Sequence, residues 1–192
     1  MEISWTGIEV GDKDAYSDAY RQLYERFYNY GVKLVKDDGL VEDAIQEVLL
    51  LLWVNREGLR LIKNPDGYYY VLFRRALGKR VEALTKTKTI DGTEFDPEFP
   101  ADVVIIKQET DQALREKLIT AINTLSSRQR EALFLRFYEG FSYEETAAVL
   151  GISVKATYKL MARSLLALRE RVSVPLVYIF FLLKENFNEW MG

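Results

Sequence analysis

Residues Leu125 to Arg171 read LSSRQREALFLRFYEGFSYEETAAVLGISVKATYKLMARSLLALRER, and the punctuation of this stretch marks two helices joined by a tight turn. Ser142 can cap a helix that carries Glu145 three residues on, the reciprocal pair of a capping box. Over SYEETAAVL, Thr146, Ala147 and Leu150 share a side, with Ala147 small where two helices must approach closely. Gly151 ends that helix, because a left-handed stop costs glycine little. Ile152 plugs the turn and Ser153 caps the next helix. Along it Val154, Tyr158, Met161, Leu165 and Leu168 recur at steps of three and four and so share one face. Lys155, Lys159 and Arg163 recur at steps of four on another. The pattern is that of a helix-turn-helix whose second helix can bury one stripe and lay a basic stripe against phosphates and base edges. The basic residues alone would favour a plain solvated face. The glycine turn, the small Ala147 and the two caps favour contact with DNA.

The surrounding chain reads as helix throughout. Ser126 and Ser127 cap a helix from Arg128 to Tyr138 that Gly140 ends, and Val103 to Leu125 forms another. In Asp12–Lys36, Tyr16, Tyr20, Leu23, Phe27, Tyr30 and Leu34 recur at helical spacing. Leu40–Asn55 opens with acidic residues that suit the helix dipole and carries the stripe Ala44, Ile45, Val48, Leu49, Leu52 and Trp53. Asn64-Pro65-Asp66 is a turn that starts a third helix, Gly67 to about Leu84. A last helix runs from Pro175 to Trp190. Strand-type alternation and internal repeats are absent from the sequence, so the fold is expected to be all-α, with two helical modules. Pro97 and Pro100 mark the acidic segment Thr87–Ala101 as a linker. Charge agrees: Lys63–Lys88 is basic, and Thr89–Thr110 is acidic through Asp91, Glu94, Asp96, Glu98, Asp102 and Glu109.

Composition excludes whole classes of chemistry. The 192 residues suit one or two domains, and a net charge of -3 argues against a uniformly basic nucleic-acid coat. With no Cys and no His, disulfides, thiol nucleophiles, zinc ribbons and Ser-His-Asp triads are out of reach. No metal or cofactor is expected. The acidic N-terminus lacks the apolar core of a signal peptide. The longest apolar run, Val174–Leu183, is about half the ~20 residues of a membrane span. A cytoplasmic protein that does not span a membrane is expected.

Two further regions gather chemistry. The third helix interleaves Tyr68, Tyr69, Tyr70 and Phe73 with Arg74, Arg75, Lys79 and Arg80, which suits single-stranded DNA through stacking and phosphate contact. Its alternative is a core helix with aromatics inward, the better reading for Tyr69, Tyr70 and Phe73. The second helix presents Asp43, Gln46 and Glu47 away from its apolar stripe. Solvation is the simplest reading, a docking face for a partner the next, and catalysis the last.

The strings EDAIQEVLLLLW (Glu42–Trp53), NPDGYYYVLFRRA (Asn64–Ala76) and LSSRQREALFLRFYEGFSYEETAAVLGISV (Leu125–Val154) together resemble the bacterial RNA polymerase sigma factors of the small, extracytoplasmic-function type. The likeness runs from about Tyr16 to Arg171. It implies a sigma-2-like domain over residues 12–86, a linker over 87–108 and a sigma-4-like helix-turn-helix domain over 109–172. An apolar C-terminal helix, 173–192, lies outside the family motifs. It is expected either to pack on the sigma-4-like domain or to cover a binding face until displaced. The resemblance implies that Asp43, Gln46, Glu47, Leu50 and Trp53 bind core polymerase. It also implies that Asn64, Tyr69, Arg74, Arg75, Lys79 and Arg80 meet the minus-ten promoter element, and Ser153, Lys155, Thr157, Lys159 and Arg163 the minus-thirty-five element. Core polymerase, promoter DNA and an anti-sigma factor are the implied partners, and the sigma factor itself has no catalytic role. The chain departs from the family at Thr157, where an apolar residue is common, and at Ala76 and Arg80, where Asn and Asp are common. Rival readings are a helix-turn-helix regulator acting without polymerase and a helical interaction protein that has lost DNA binding. Glu42–Trp53 counts against the first and the basic stripe against the second.

Overall fold

Asp12 and Asp37 decide where the two long helices of the N-terminal half begin. In the computed structural model, which describes residues 3–85, 95 and 117–172, the Asp12 carboxylate accepts from the backbone N–H of Asp14 at 2.9 Å and of Ala15 at 3.2 Å. Asp37 accepts from Leu40 N–H at 3.2 Å. Each satisfies N–H groups that a helix start leaves without partners. Helix α2 (Lys13–Leu34) and helix α3 (Asp38–Val54) follow. Helix α4 (Pro65–Thr85) starts with proline at its first position, where no N–H is needed, and with Asn64 Oδ1 accepting from Gly67 N–H at 3.1 Å. A 3-10 helix, Arg56–Leu61, links α3 to α4. A short helix α1 (Trp5–Glu9) precedes them all, capped by Ser4. Its sequence is too short for periodicity to reveal.

The chain divides into two compact units, Met1–Glu94 and Phe95–Gly192. In the first, α2 buries Ala19, Leu23, Phe27, Tyr30 and Leu34, and α3 buries Val41, Ala44, Ile45, Val48, Leu49 and Leu52. From α4, Tyr69, Tyr70, Phe73, Leu77 and Val81 complete the core. Phe27 and Phe73 stack with centroids 4.8 Å apart, and Tyr70 meets Phe27 edge-on at 5.0 Å. Each such ring contributes on the order of 1.5–3 kcal/mol by burial. The helices pack this closely because of Gly31: a Cβ there would stand 2.6 Å from Val41 Cγ1 and 2.9 Å from Phe73 Cζ. The Tyr16 hydroxyl donates to Leu49 O at 2.9 Å, tying α2 to α3.

In the second unit the described elements are helical residues 117–123 (α5), α6 (Ser127–Leu133), α7 (Tyr143–Leu150) and α8 (Val154–Val172). Helix α6 continues into a single π turn, Phe134–Tyr138, where Glu139 N–H donates five residues back to Phe134 O at 3.1 Å. Among the described residues there is no strand. The helix expected over Val103–Leu125 lies outside the described residues as far as 116, and so does the expected C-terminal helix 175–190.

Candidate nucleic-acid interface

The LSSRQR run opening the second unit works as a set of hydrogen bonds. Ser126 and Gln129 form a capping box, with Ser126 Oγ accepting from Gln129 N–H and Gln129 Oε1 accepting from Ser126 N–H at 2.9 Å. Arg130 Nη1 donates to Leu125 O at 2.9 Å and Asn123 O at 3.3 Å, closing the end of α5. Arg128 donates to Leu150 O, a carbonyl at the end of α7. Its other nitrogen lies 3.6 Å from the buried carboxylate of Glu131. The same run therefore starts α6 and clamps the far end of α7.

The turn itself is built as its spacing predicts. Glu145 N–H donates to Ser142 Oγ at 3.2 Å and Ser142 N–H donates to Glu145 Oε2 at 2.6 Å. Gly151 stands at φ 66°, in the left-handed region. Ile152 N–H reaches back to Ala147 O at 3.0 Å, closing a Schellman motif. Ser153 Oγ accepts from Ala156 N–H at 3.2 Å and starts α8.

The rotation of α8 differs from the expected one. Its buried residues are Thr157, Met161, Ser164, Leu168 and Val172, so Met161 and Leu168 of the expected stripe face inward while Val154 and Tyr158 are exposed. Apolarity alone misplaces part of the face because two hydroxyls bury without penalty: Thr157 donates to Ser153 O at 3.2 Å and Ser164 to Leu160 O at 2.9 Å. Thr157 is 0% exposed, which removes it from the expected DNA-facing set and gives it the inward place of an apolar residue. Ser153, Lys155, Lys159 and Arg163 are all exposed. Among the described residues no carboxylate forms an ion pair with these three cations. Tyr158, absent from the expected set, stands outside at 51% exposure. Its ring stacks on Tyr143 at 4.0 Å, and Arg136 lies over the other ring at 5.3 Å. Only the rotation set by the packed helices could have shown it.

In the first unit, Asp43, Gln46 and Glu47 are exposed on α3, continuing into Leu50, Leu51 and Val54. Leu50 is 63% exposed. These six positions recur at steps of three and four and form one outward face, carboxylates at one end and aliphatic groups at the other. Trp53 does not belong to that face. It is half-buried, 4.8 Å from Tyr16, with the Arg56 guanidinium over its ring at 4.7 Å.

The residues expected at the minus-ten element divide. Asn64, Arg75 and Lys79 are exposed. Tyr69 is interior, stacked under Trp5 with centroids 6.0 Å apart and planes 6° off parallel. Burial pushes its phenol up to about 12. Arg74 is also interior, donating from Nε to the Tyr30 hydroxyl at 3.2 Å. Neither is on a DNA-facing surface; both are core residues, because the aromatic start of α4 turns inward. Arg80 is tied to α3, donating to Glu47 Oε2 at 2.5 Å and to Asp43 O at 3.2 Å. Trp5 Nε1 and Arg26 both donate to Asp66, at 3.3 and 2.6 Å, so α1 is fastened to the start of α4.

Among the described residues no helix is long and apolar enough to cross a membrane, and no cluster of acidic side chains has metal-site geometry.

Residues 115–168 match the sequence profile of sigma-70, region 4. The chain is 32% identical over 164 residues to the RNA polymerase sigma-E factor of Streptomyces coelicolor, covering 85% of this chain and 89% of that one. It is 25% identical over 170 residues to the ECF RNA polymerase sigma factor SigK of Mycolicibacterium vanbaalenii, covering 85% and 84% of the two chains. In fold it is similar to the sigma factor RpoE of Bartonella quintana, solved in complex with the anti-sigma factor NepR. That likeness has a TM-score of 0.50 and 21% identity, over 83% of this chain and 97% of that one. On the strength of the sequence matches over 85% of its length, the chain belongs to the RNA polymerase sigma factors of the ECF type.

Proposed function

We propose that this chain directs RNA polymerase to specific promoters and initiates transcription there by reading two DNA elements. The observation that carries the reading is the exposed row Lys155, Lys159 and Arg163 on α8, standing off a capped helix-turn-helix. In this reading that row, with Ser153, meets the minus-thirty-five element. Asn64, Arg75 and Lys79 meet the minus-ten element, and Arg80 joins them when its tie to Glu47 opens. Core polymerase docks on the outward face of α3, through Asp43, Gln46, Glu47 and Leu50. Trp53 supports the end of that helix from behind. The domains of the reading are 12–86 and 109–172, with 87–108 as linker and 173–192 as an added segment.

The chain acts by binding and positioning, has no catalytic step of its own, and works in the cytoplasm. An anti-sigma factor is its proposed regulator. A regulator acting without polymerase would leave the exposed carboxylate-and-leucine face of α3 without a role.

The test mixes the chain with core polymerase and a promoter library and sequences the transcripts. Promoter-selective initiation is expected. Lys159→Ala should weaken promoter binding by about 1–3 kcal/mol if it reads a base, or reduce the salt slope by about one if it holds a phosphate. Core binding should be unchanged. The double variant Asp43→Ala, Glu47→Ala should weaken core binding instead. No selective initiation together with no core binding would overturn the reading.

A further inference from the structure

We propose that Tyr158 reads a base, that what it recognises is the 5-methyl group of a thymine, and that Tyr143 and Arg136 are positioning residues that hold its ring. The proposal rests on α8 being the groove-facing helix and adds the chemistry of one contact to that reading.

Three observations carry it. First, Tyr158 lies on the same exposed half of α8 as Lys155 and Lys159, the cations one turn apart that flank it in sequence. A large aromatic ring left 51% exposed there is unusual on a helix that buries Thr157 and Ser164 in preference to it. Second, the ring is not loose. It lies 4.0 Å from Tyr143 with planes 16° apart, and the Arg136 guanidinium lies over Tyr143 at 5.3 Å. Third, this column draws one residue from each of three successive elements. Arg136 comes from the π turn, Tyr143 is the first residue of α7, and Tyr158 sits on α8. Arg136 is itself held by donating to Phe141 O at 2.9 Å. Arg136 lies within the π turn, a distortion that often marks functional positions.

The chemistry follows from what remains free. One face of the Tyr158 ring is occupied by Tyr143, so it cannot sandwich an extruded base. It offers an apolar edge, fixed in advance between cations that take phosphates. Ordering that ring before contact lowers the entropy lost on binding. In the major groove the apolar feature of a base edge is the thymine methyl group, and the neighbouring groups are polar donors and acceptors.

The test uses the full chain with core polymerase on a promoter duplex selected from the library. A panel of duplexes replaces one thymine of the upstream element at a time by deoxyuridine, which removes only the methyl group. The wild type should lose about fourfold in affinity at one position, the worth of one buried methyl. Tyr158→Phe should keep that ratio, and Tyr158→Ser should bind both duplexes alike. Tyr143→Ala should lose the discrimination and Tyr143→Phe restore it, which a merely structural role for the ring would not produce. A wild type that binds the promoter but ignores every replacement overturns the Tyr158 proposal alone, as does a Tyr158→Ser chain that still discriminates. Discrimination that survives in Tyr143→Ala overturns the positioning role. A wild type with no promoter selectivity overturns this proposal and the functional reading together.

Discussion

Tyr69 and Thr157 show how far a residue's chemistry depends on what surrounds it. Both carry a hydroxyl, the family resemblance places both at DNA, and both are inside. Thr157 can be buried because its donor finds Ser153 O one turn back. Tyr69 is enclosed under Trp5, and the interior favours its neutral form. That shift has a consequence with a definite sign. In the unfolded chain the phenol ionises near its ordinary value of about 10, while in the folded chain it stays neutral up to about 12. The stability that Tyr69 contributes is therefore complete below pH 10 and falls away as pH rises from 10 toward 12. Thermal melting followed across that range should show a steeper alkaline loss for the wild type than for Tyr69→Phe, which has no proton to release. Equal slopes would place the phenol in solvent. The charged residues behave more simply. Lys155, Lys159 and Arg163 stand outside as the spacing of four requires, since two steps of 400° keep them on a slowly drifting stripe.

At the scale of elements, caps and contacts do different work. Caps were legible because they are local: Ser142 with Glu145, Gly151 and Ser153 each act within about four residues of themselves. The rotation of α8 was not, because Val154, Tyr158 and Leu165 are as apolar as the residues that face inward. The choice lies with α6 and α7, which pack against α8, where Thr157 and Ser164 are buried. Gly31 is the matching case in the first unit. Nothing in its neighbourhood of α2 sequence requires glycine, yet α3 and α4 stand too near for a side chain. Gly31→Ala would gain helix propensity of about 1 kcal/mol and lose more by overpacking. The expected net is destabilisation of about 1–2 kcal/mol, read by denaturant unfolding. A more stable variant would mean that Val41 and Phe73 move aside freely.

For the whole molecule, the division into two compact units gives each its own core. Phe95 is the surprise at this scale. It falls in a segment whose prolines and acidic residues read as a linker, yet its ring is buried against Phe134, with centroids 5.6 Å apart. Its N–H donates to Ser127 Oγ at 2.6 Å, and its carbonyl accepts from Arg130 Nε at 3.0 Å. Both backbone groups and the ring are thus satisfied by the second unit. Phe95→Ala should cost that unit about 3–5 kcal/mol and leave the first unchanged. Amide hydrogen exchange can separate the two: protection at Leu133 and Leu168 should fall while protection at Phe27 and Leu49 holds. A loss shared by both units would show that they unfold together.

The all-α class, the order of the long helices, the capped glycine turn and the basic row on α8 are all legible in the residues alone. These rest on interactions within a turn or two of helix, which neighbouring residues specify. The resemblance of two motif blocks led to the family that the relatives bear out. Which faces turn inward was settled by packing between helices. It took Tyr69, Arg74 and Thr157 into the core, fastened Arg80 to Glu47, seated Phe95 and α1, and left Tyr158 outside on a braced column. Burial is a competition among faces of similar apolarity, and its outcome depends on the fit of distant helices, which no local spacing contains.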